Sequence, residues 1–486
     1  MSNLQRGMSK TSRVSRRSFL GAGGLVAAGL SLPAVTPVSR ARADEAARSD
    51  PPARNLIFMV SDGMSTGTLQ LADLAVRMRT GRSSRWIEVI RNPRSAPAQV
   101  FRAVMDTSSA DSLVTDSAAA STAWGIGELV HNDRIGLTPD GRFPTPILVH
   151  AQQSGRATGL VTTTRLSHAT PAGFIANCPG TRDDEDGIAA QMLERKPDLL
   201  LGGGGVFFTH ERLAAWGDLA VVRTRDELAA HRPKSERPRL AGIFAEQHMA
   251  FEMDRPAAQP SLAEMTEFAL RFLESRSAAL GGSGFLVQIE GGRVDHAAHR
   301  NDAGSLLRDQ IAFDEAIGAA LDFAAGRDDT LIVITTDHGN ANPGLTDYGS
   351  AGAEGFEKLL AARRSFEWIE AQLAAMDSPP SAERIGSLIE EATAIGLESA
   401  EVDVLSRWLR GQAVDPFRIA NKTLGPIGSV LANHTKVAFL STNHTADYVE
   451  VTAIGPRAGL LPPFLNMAQM HGFIVSALDL PPARPI

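Results

Sequence analysis

Five apolar runs constrain what this chain can fold into: NLIFMVSDG (55–63), ATGLVTTT (157–164), DLLLGGGG (198–205), GFLVQIEGG (284–292) and TLIVITTDHG (330–339). Runs of this kind, bounded by glycine or polar residues and alternating with helical patterns, predict strands of a mainly parallel central sheet with helices on both faces. The expected fold class is α/β. Ligands of such sheets gather beyond the carboxyl ends of the strands, and here those ends carry Asp62, Glu290 and the adjacent pair Asp337 and His338.

From Pro343 to about Leu431 the pattern turns into amphipathic helix, as in FEKLLAARRSFEWIEAQLAAM and AERIGSLIEEATAIGL. Strand-like sequence returns only with TKVAFLSTNHT and YVEVTAIGP. The expectation is a catalytic α/β domain over 44–342 and 432–486, interrupted by a helical insertion over 343–431 that caps the site. A chain of 486 residues is long enough to bury a core of that size.

The N-terminus does not belong to the fold. Arg16 and Arg17 precede a weakly apolar, glycine-rich run, and ARA at 41–43 closes it. This is the pattern of a twin-arginine export signal with a small-residue cleavage site, and it predicts a periplasmic or extracellular protein. Glycines and Pro33 break the run below the roughly 20 residues that a membrane anchor needs, so none is expected. Removing residues 1–43 takes away seven basic and no acidic residues, leaving 41 basic against 55 acidic, a charge of −14. A surface that acidic argues against a nucleic-acid-binding role. With Cys178 as the single cysteine, no intrachain disulfide can form.

Three stretches hold chemistry. EGGRVDHAAHRND (290–302) sets Asp295 and His299 four residues apart, on one face of a helical turn and able to grip one ion. TTDHG places Asp337 and His338 at the end of an apolar strand, where unpaired they would be costly to desolvate and where metal coordination relieves that cost. In VTDSAAASTAWG (114–125), Thr115, Asp116 and Ser117 are all good helix caps. Ser117 is equally a nucleophile if a metal or a base lies near it.

In order along the chain, SDGM, TDSAA, HATPAGF, EGGRVDHAAH, TTDHG and STNHTADYVEVTAIGP resemble the motifs of the alkaline phosphatase family. The resemblance covers nearly all of the chain beyond the signal, apart from the insertion. It implies a phosphomonoesterase with two zinc ions and one magnesium ion acting on small-molecule phosphate monoesters. Asp295, His299 and His444 would hold one zinc; Asp62, Asp337 and His338 would hold the other, beside the nucleophile Ser117. Asp62, Thr170 and Glu290 would share the magnesium. His168 and His296 stand at positions that either ligate this third metal or back its ligands, which leaves its identity open.

The family's phosphate-binding arginine falls at Thr181 by spacing, and Arg182 lies one residue later. A one-residue insertion in the NCPGT turn makes Arg182 the expected fork for two phosphoryl oxygens. His434 is read as a residue of the insertion boundary. Cys178 lacks the C-x-P-x-R context of a sulfatase nucleophile. GGGG at 202–205 lacks the Lys-Ser/Thr pair of a phosphate loop. A phosphodiesterase or sulfatase of the same superfamily, or a metal-stabilised binding protein without turnover, stay open as alternatives, and a homodimer is left open as well.

Overall fold

The computed structural model describes residues 50–232, 239–376 and 380–486. The expected export signal, residues 1–43, lies outside the described residues.

Ten strands make the central sheet: β1 (Asn55–Ser61), β2 (Val100–Asp106), β3 (Ala157–Arg165), β4 (Leu199–Gly203), β5 (Leu219–Val222), β6 (Arg239–Ile243), β7 (Phe285–Gly291), β8 (Thr330–Thr335), β9 (Tyr448–Ile454) and β10 (Phe464–Asn466). Their order is β10-β2-β9-β8-β1-β7-β3-β4-β6-β5. Only β9 runs antiparallel, to both β8 and β2. Every run used to predict the sheet lies in a strand, with β1, β7 and β8 side by side at its centre. TKVAFLSTNHT departs from its strand-like reading. It supplies only two short pairs outside the main sheet, 437–438 with 344–345 and 444–445 with 339–340.

Because side chains alternate across a strand, β1 feeds two cores. Leu56, Phe58 and Val60 enter one, and Ile57 and Met59 enter the other. Phe58 packs against Trp124 and Phe174 with ring centroids 5.1 and 5.2 Å away. Those rings come from α2 (Ser117–Ile126) and α3 (Ala169–Ile175), which follows α1 (Thr66–Thr80) and α2 in the chain. The opposite face is covered by α4 (Leu262–Ala279) and α6 (Ala303–Ala324), with α5 (Arg293–His299) between them in sequence. This is the expected α/β layering.

Among the described residues five α-helices lie between β8 and β9: α7 (Ser350–Leu360), α8 (Phe366–Ala374), α9 (Ala382–Thr393), α10 (Ser399–Leu409) and α11 (Gly425–Thr435). Four of them share a core of their own, built on Phe366, Ile369, Leu388, Ile389, Leu405, Ile427 and Leu431. His434, near the end of α11, bonds through Nε2 to Glu401 of α10 at 2.9 Å. Among the described residues no helix is long and apolar enough to cross a membrane.

Candidate active site

Ser117 is the first residue of α2, and Asp116 caps it, accepting from Ala119 N at 2.9 Å. Every residue of this helix is buried, which its run of alanine, serine and glycine permits. The helix presses so closely on α3 that a Cβ on Gly173 would lie 2.6 Å from the carbonyl carbon of Ser121. That close packing sets the Ser117 hydroxyl over the strand ends. Its Oγ lies 3.2 Å from His338 Nε2 and 3.5 Å from Asp62 Oδ1. Ser117 is thus a helix-start residue and a candidate nucleophile at once.

Register explains the acidic cluster beneath it. Val60 of β1 pairs with Glu290 of β7 on one side and Thr335 of β8 on the other, so Asp62, Glu290 and Asp337 emerge together. Gly63, at φ 66°, turns the chain away immediately; a Cβ there would strike Asp295 Oδ1 at 2.4 Å. All four carboxylates are buried. Burial, then repulsion from Asp337, Asp295 and Glu290, pushes the Asp62 carboxyl well above its usual range. Burial likewise raises Glu290 to about 7 and Asp337 to about 6. Burial also works against ionisation of Asp295, but His299 and His444 hold it well below the usual carboxylate range.

Several oxygens in this cluster lack any hydrogen-bond partner: Asp62 Oδ2, Asp337 Oδ2, Glu290 Oε1 and Thr170 Oγ1. Buried, unpartnered acceptors at this density are unstable without cations to receive them. The three carboxylates fall in two ligand groups, Asp62 with Asp337 and His338, and Asp62 with His168 and Glu290. The residue types suit divalent ions, with nitrogen and oxygen donors in the first group and mostly oxygen in the second.

A third group joins Asp295, His338 and His444. His444 Nδ1 donates to Thr115 O at 2.9 Å and His299 Nδ1 to Thr442 O at 2.8 Å. In their neutral forms both rings carry the one hydrogen on Nδ1, so the two Nε2 atoms, which face each other at 3.0 Å, present lone pairs. Asp295 Oδ2 lies 3.3 Å from His299 Nε2, and Oδ1 lies 3.5 Å from His444 Nε2. Two imidazole acceptors and a carboxylate meeting this way suit zinc. The His338 ring stacks on His444 with centroids 3.7 Å apart, so the two nitrogen-bearing groups adjoin.

Arg182 lies on the serine side, bonded to the cap of α2. Nη1 donates to Asp116 Oδ2 at 3.1 Å and Nη2 to His168 Nε2 at 3.2 Å. Asp116 was read from sequence only as a cap; its second oxygen is what orients the guanidinium. The rings of His168 and His296 meet at 5.5 Å, and a third imidazole, His248, lies 4.5 Å from His296. Sequence reading missed His248, because EQHMAF carries no ligand spacing and tertiary contact alone brings it here.

Residues 53–480 match the family model described as Alkaline phosphatase. Streptomycin-6-phosphate phosphatase of Streptomyces griseus is 34% identical over 60% of this chain and 75% of its own. Alkaline phosphatase 4 of Bacillus subtilis is 29% identical over 94% of each chain. The crystal structure of Thermus thermophilus alkaline phosphatase superposes with a TM-score of 0.79, at 29% identity, covering 90% of this chain and 95% of that one. The fold and these relatives define a phosphomonoesterase enzyme. The chain belongs to the alkaline phosphatase family.

Proposed function

We propose that the enzyme works through a phosphoseryl intermediate on Ser117, in a site that holds two zinc ions and one magnesium ion. The observation that carries the reading is the Ser117 hydroxyl lying 3.2 Å from His338 Nε2, above buried carboxylates whose outer oxygens lack partners. Asp295, His299 and His444 would hold one zinc, Asp62, Asp337 and His338 the second, and Asp62, Thr170 and Glu290 the magnesium. When bound, such ions offset negative charge on phosphoryl oxygens and lower the pKa of a nearby hydroxyl or water toward 7.

Arg182 receives the substrate. Its fork takes two nonbridging oxygens of the phosphoryl group, and Asp116 keeps the guanidinium aimed. The N-terminal turn of α2 favours the same anion. Ser117 Oγ then attacks phosphorus, the bond to the leaving alcohol breaks, and that alcohol departs with a proton. Water attacks the phosphoseryl group in turn, releasing inorganic phosphate and restoring the hydroxyl. A cationic fork favours the dianionic monoester over monoanionic diesters and sulfates.

The proposed setting is outside the cytoplasm, reached through the twin-arginine signal at Arg16 and Arg17, with the helices of 343–431 as a cap on the site. The test compares initial rates on an aryl phosphate monoester, diester and sulfate, with and without chelator. A monoester rate far above the others and abolished by chelation is expected. A faster diester or sulfate rate overturns the assignment.

A further inference from the structure

A partly buried charged contact joins the helical insertion to the metal loop. Glu367, in the first turn of α8, has a side chain 44% exposed and bonds through Oε2 to Arg293 Nη2 at 2.6 Å. Arg293 opens α5, two residues before Asp295, and its side chain is 2% exposed. The guanidinium lies 3.8 Å over the Phe251 ring, and its other terminal nitrogen, Nη1, donates to His296 Nδ1 at 2.7 Å. Arg300 adds a second strand to the same knot. Its Nη1 donates to the His296 carbonyl at 3.2 Å, and its Nη2 lies 3.7 Å from Glu367 and 3.8 Å from Glu370.

The chemistry of this chain of contacts is one-directional. A guanidinium has only hydrogens to give, so a nitrogen that accepts from it carries no hydrogen. His296 is therefore neutral with its hydrogen on Nε2. The same logic applies to its two ring neighbours. His168 Nε2 accepts from Arg182, and His248 Nδ1 accepts from Arg165 N at 3.2 Å. Three imidazoles then each have one nitrogen occupied as an acceptor and one N–H left, so while Arg182 holds this position His168 presents no lone pair to an ion. His168 Nδ1 is buried without a partner. The rings thus run from Arg293 to Arg182, the proposed phosphate fork, through His296 and His168.

We propose that Glu367, supplied by the insertion, is a positioning residue for the phosphate end of the site: through Arg293 it holds the His296 ring in one orientation and one tautomer. Without its carboxylate, Arg293 is a buried cation lacking an ion-pair partner, and both its place over Phe251 and its bond to His296 are weakened. This inference rests on the reading of His296 as a residue that ligates the third metal or backs its ligands. It gives the insertion a role in binding rather than coverage alone.

The experiment uses the zinc- and magnesium-loaded enzyme and three variants, Glu367→Ala, Glu367→Gln and His296→Ala, with the double variant Glu367→Ala/His296→Ala. Inorganic phosphate is the probe, titrated by calorimetry. Nitrogen-15 histidine spectra report the tautomer, and thermal midpoints report folding. Glu367→Ala should weaken phosphate binding about tenfold, at the lower end of losses from residues behind metal ligands, and should let His296 exchange between tautomers. Glu367→Gln, whose amide oxygen still accepts from Arg293, should recover most of both. The double variant should bind no more weakly than His296→Ala alone.

Full phosphate affinity and an unchanged histidine spectrum in Glu367→Ala, beside weakened binding in His296→Ala, would overturn the link and leave the site reading standing. Additive losses would overturn it too, because the effect would then bypass His296. Unaltered phosphate binding in His296→Ala would remove the reading beneath it.

Discussion

The carboxylate of Asp116 caps the helix that Ser117 begins and at the same time holds Arg182, with one oxygen on Ala119 N at 2.9 Å and the other on the guanidinium at 3.1 Å. The proposed nucleophile and the proposed phosphate fork are thus set by one side chain. Asp116→Ala loses a cap worth about 1 kcal/mol of stability and frees the arginine. A hydrogen bond to a charged group contributes about 1.5–3 kcal/mol, so kcat/KM should fall about 10- to 100-fold. Steady-state kinetics with phosphate as competitive inhibitor check this, and an unchanged inhibition constant would show that Arg182 keeps its aim unaided.

Ser117→Ala should fold, because the helix start tolerates alanine among neighbours already alanine, and it should retain its metals. Turnover should drop by orders of magnitude. Radiolabelled phosphate ester, quenched in acid, should leave no label on the variant; a labelled variant would place the nucleophile elsewhere.

Asp295 and His296 adjoin in sequence and differ in consequence. Asp295→Ala leaves His299 and His444 facing each other without the carboxylate between them. The zinc content should fall, activity should fall by orders of magnitude, and excess zinc should restore part of it. His296→Ala should keep two zinc ions per chain and alter mainly the response to magnesium, with losses of about 10- to 100-fold. Elemental analysis beside a magnesium titration decides; the reverse pattern would mean that the loop is read in the wrong register.

Far from the site, Asp314 of α6 accepts from the backbone N–H groups of Arg85 and Trp86, and burial pushes its carboxyl up to about 6. The folded state therefore holds this proton longer than the unfolded chain, where an aspartate ionises near 4. Its contribution to stability is full below about pH 4 and is lost as pH rises through about 6. Between about pH 5 and 8, wild type should lose about 1–2 kcal/mol relative to Asp314→Asn. Denaturant unfolding at several pH values measures the difference, and parallel pH profiles would refute it.

The central strands were legible in the sequence because both faces of β1, β7 and β8 are buried, which demands unbroken apolar runs. β2, β5, β6 and β10 were not read. In VFRAVMD only Ala103 and Met105 are buried, so the strand carries Arg102 and Val104 outward and resembles neither a buried run nor a helix. It is identified only by its pairing with β9 and β10, which lie far later in the chain.

The sequence by itself determined which chemistry the chain carries: acids and histidines at the ends of apolar strands, a serine at a helix start, and the motif order that resembles one family. Short-range spacing suffices for that, since strand ends and helical turns fix neighbouring side chains locally. Tertiary structure alone decided which groups meet. The order β8-β1-β7 brings Asp62 between Glu290 and Asp337, and the fold lays His444 against His299 across 145 residues. It set Arg182 on Asp116, added His248 to the wall, and joined Glu367 to Arg293. Contacts of this kind depend on how sheet, helices and insertion pack, and no local pattern records them.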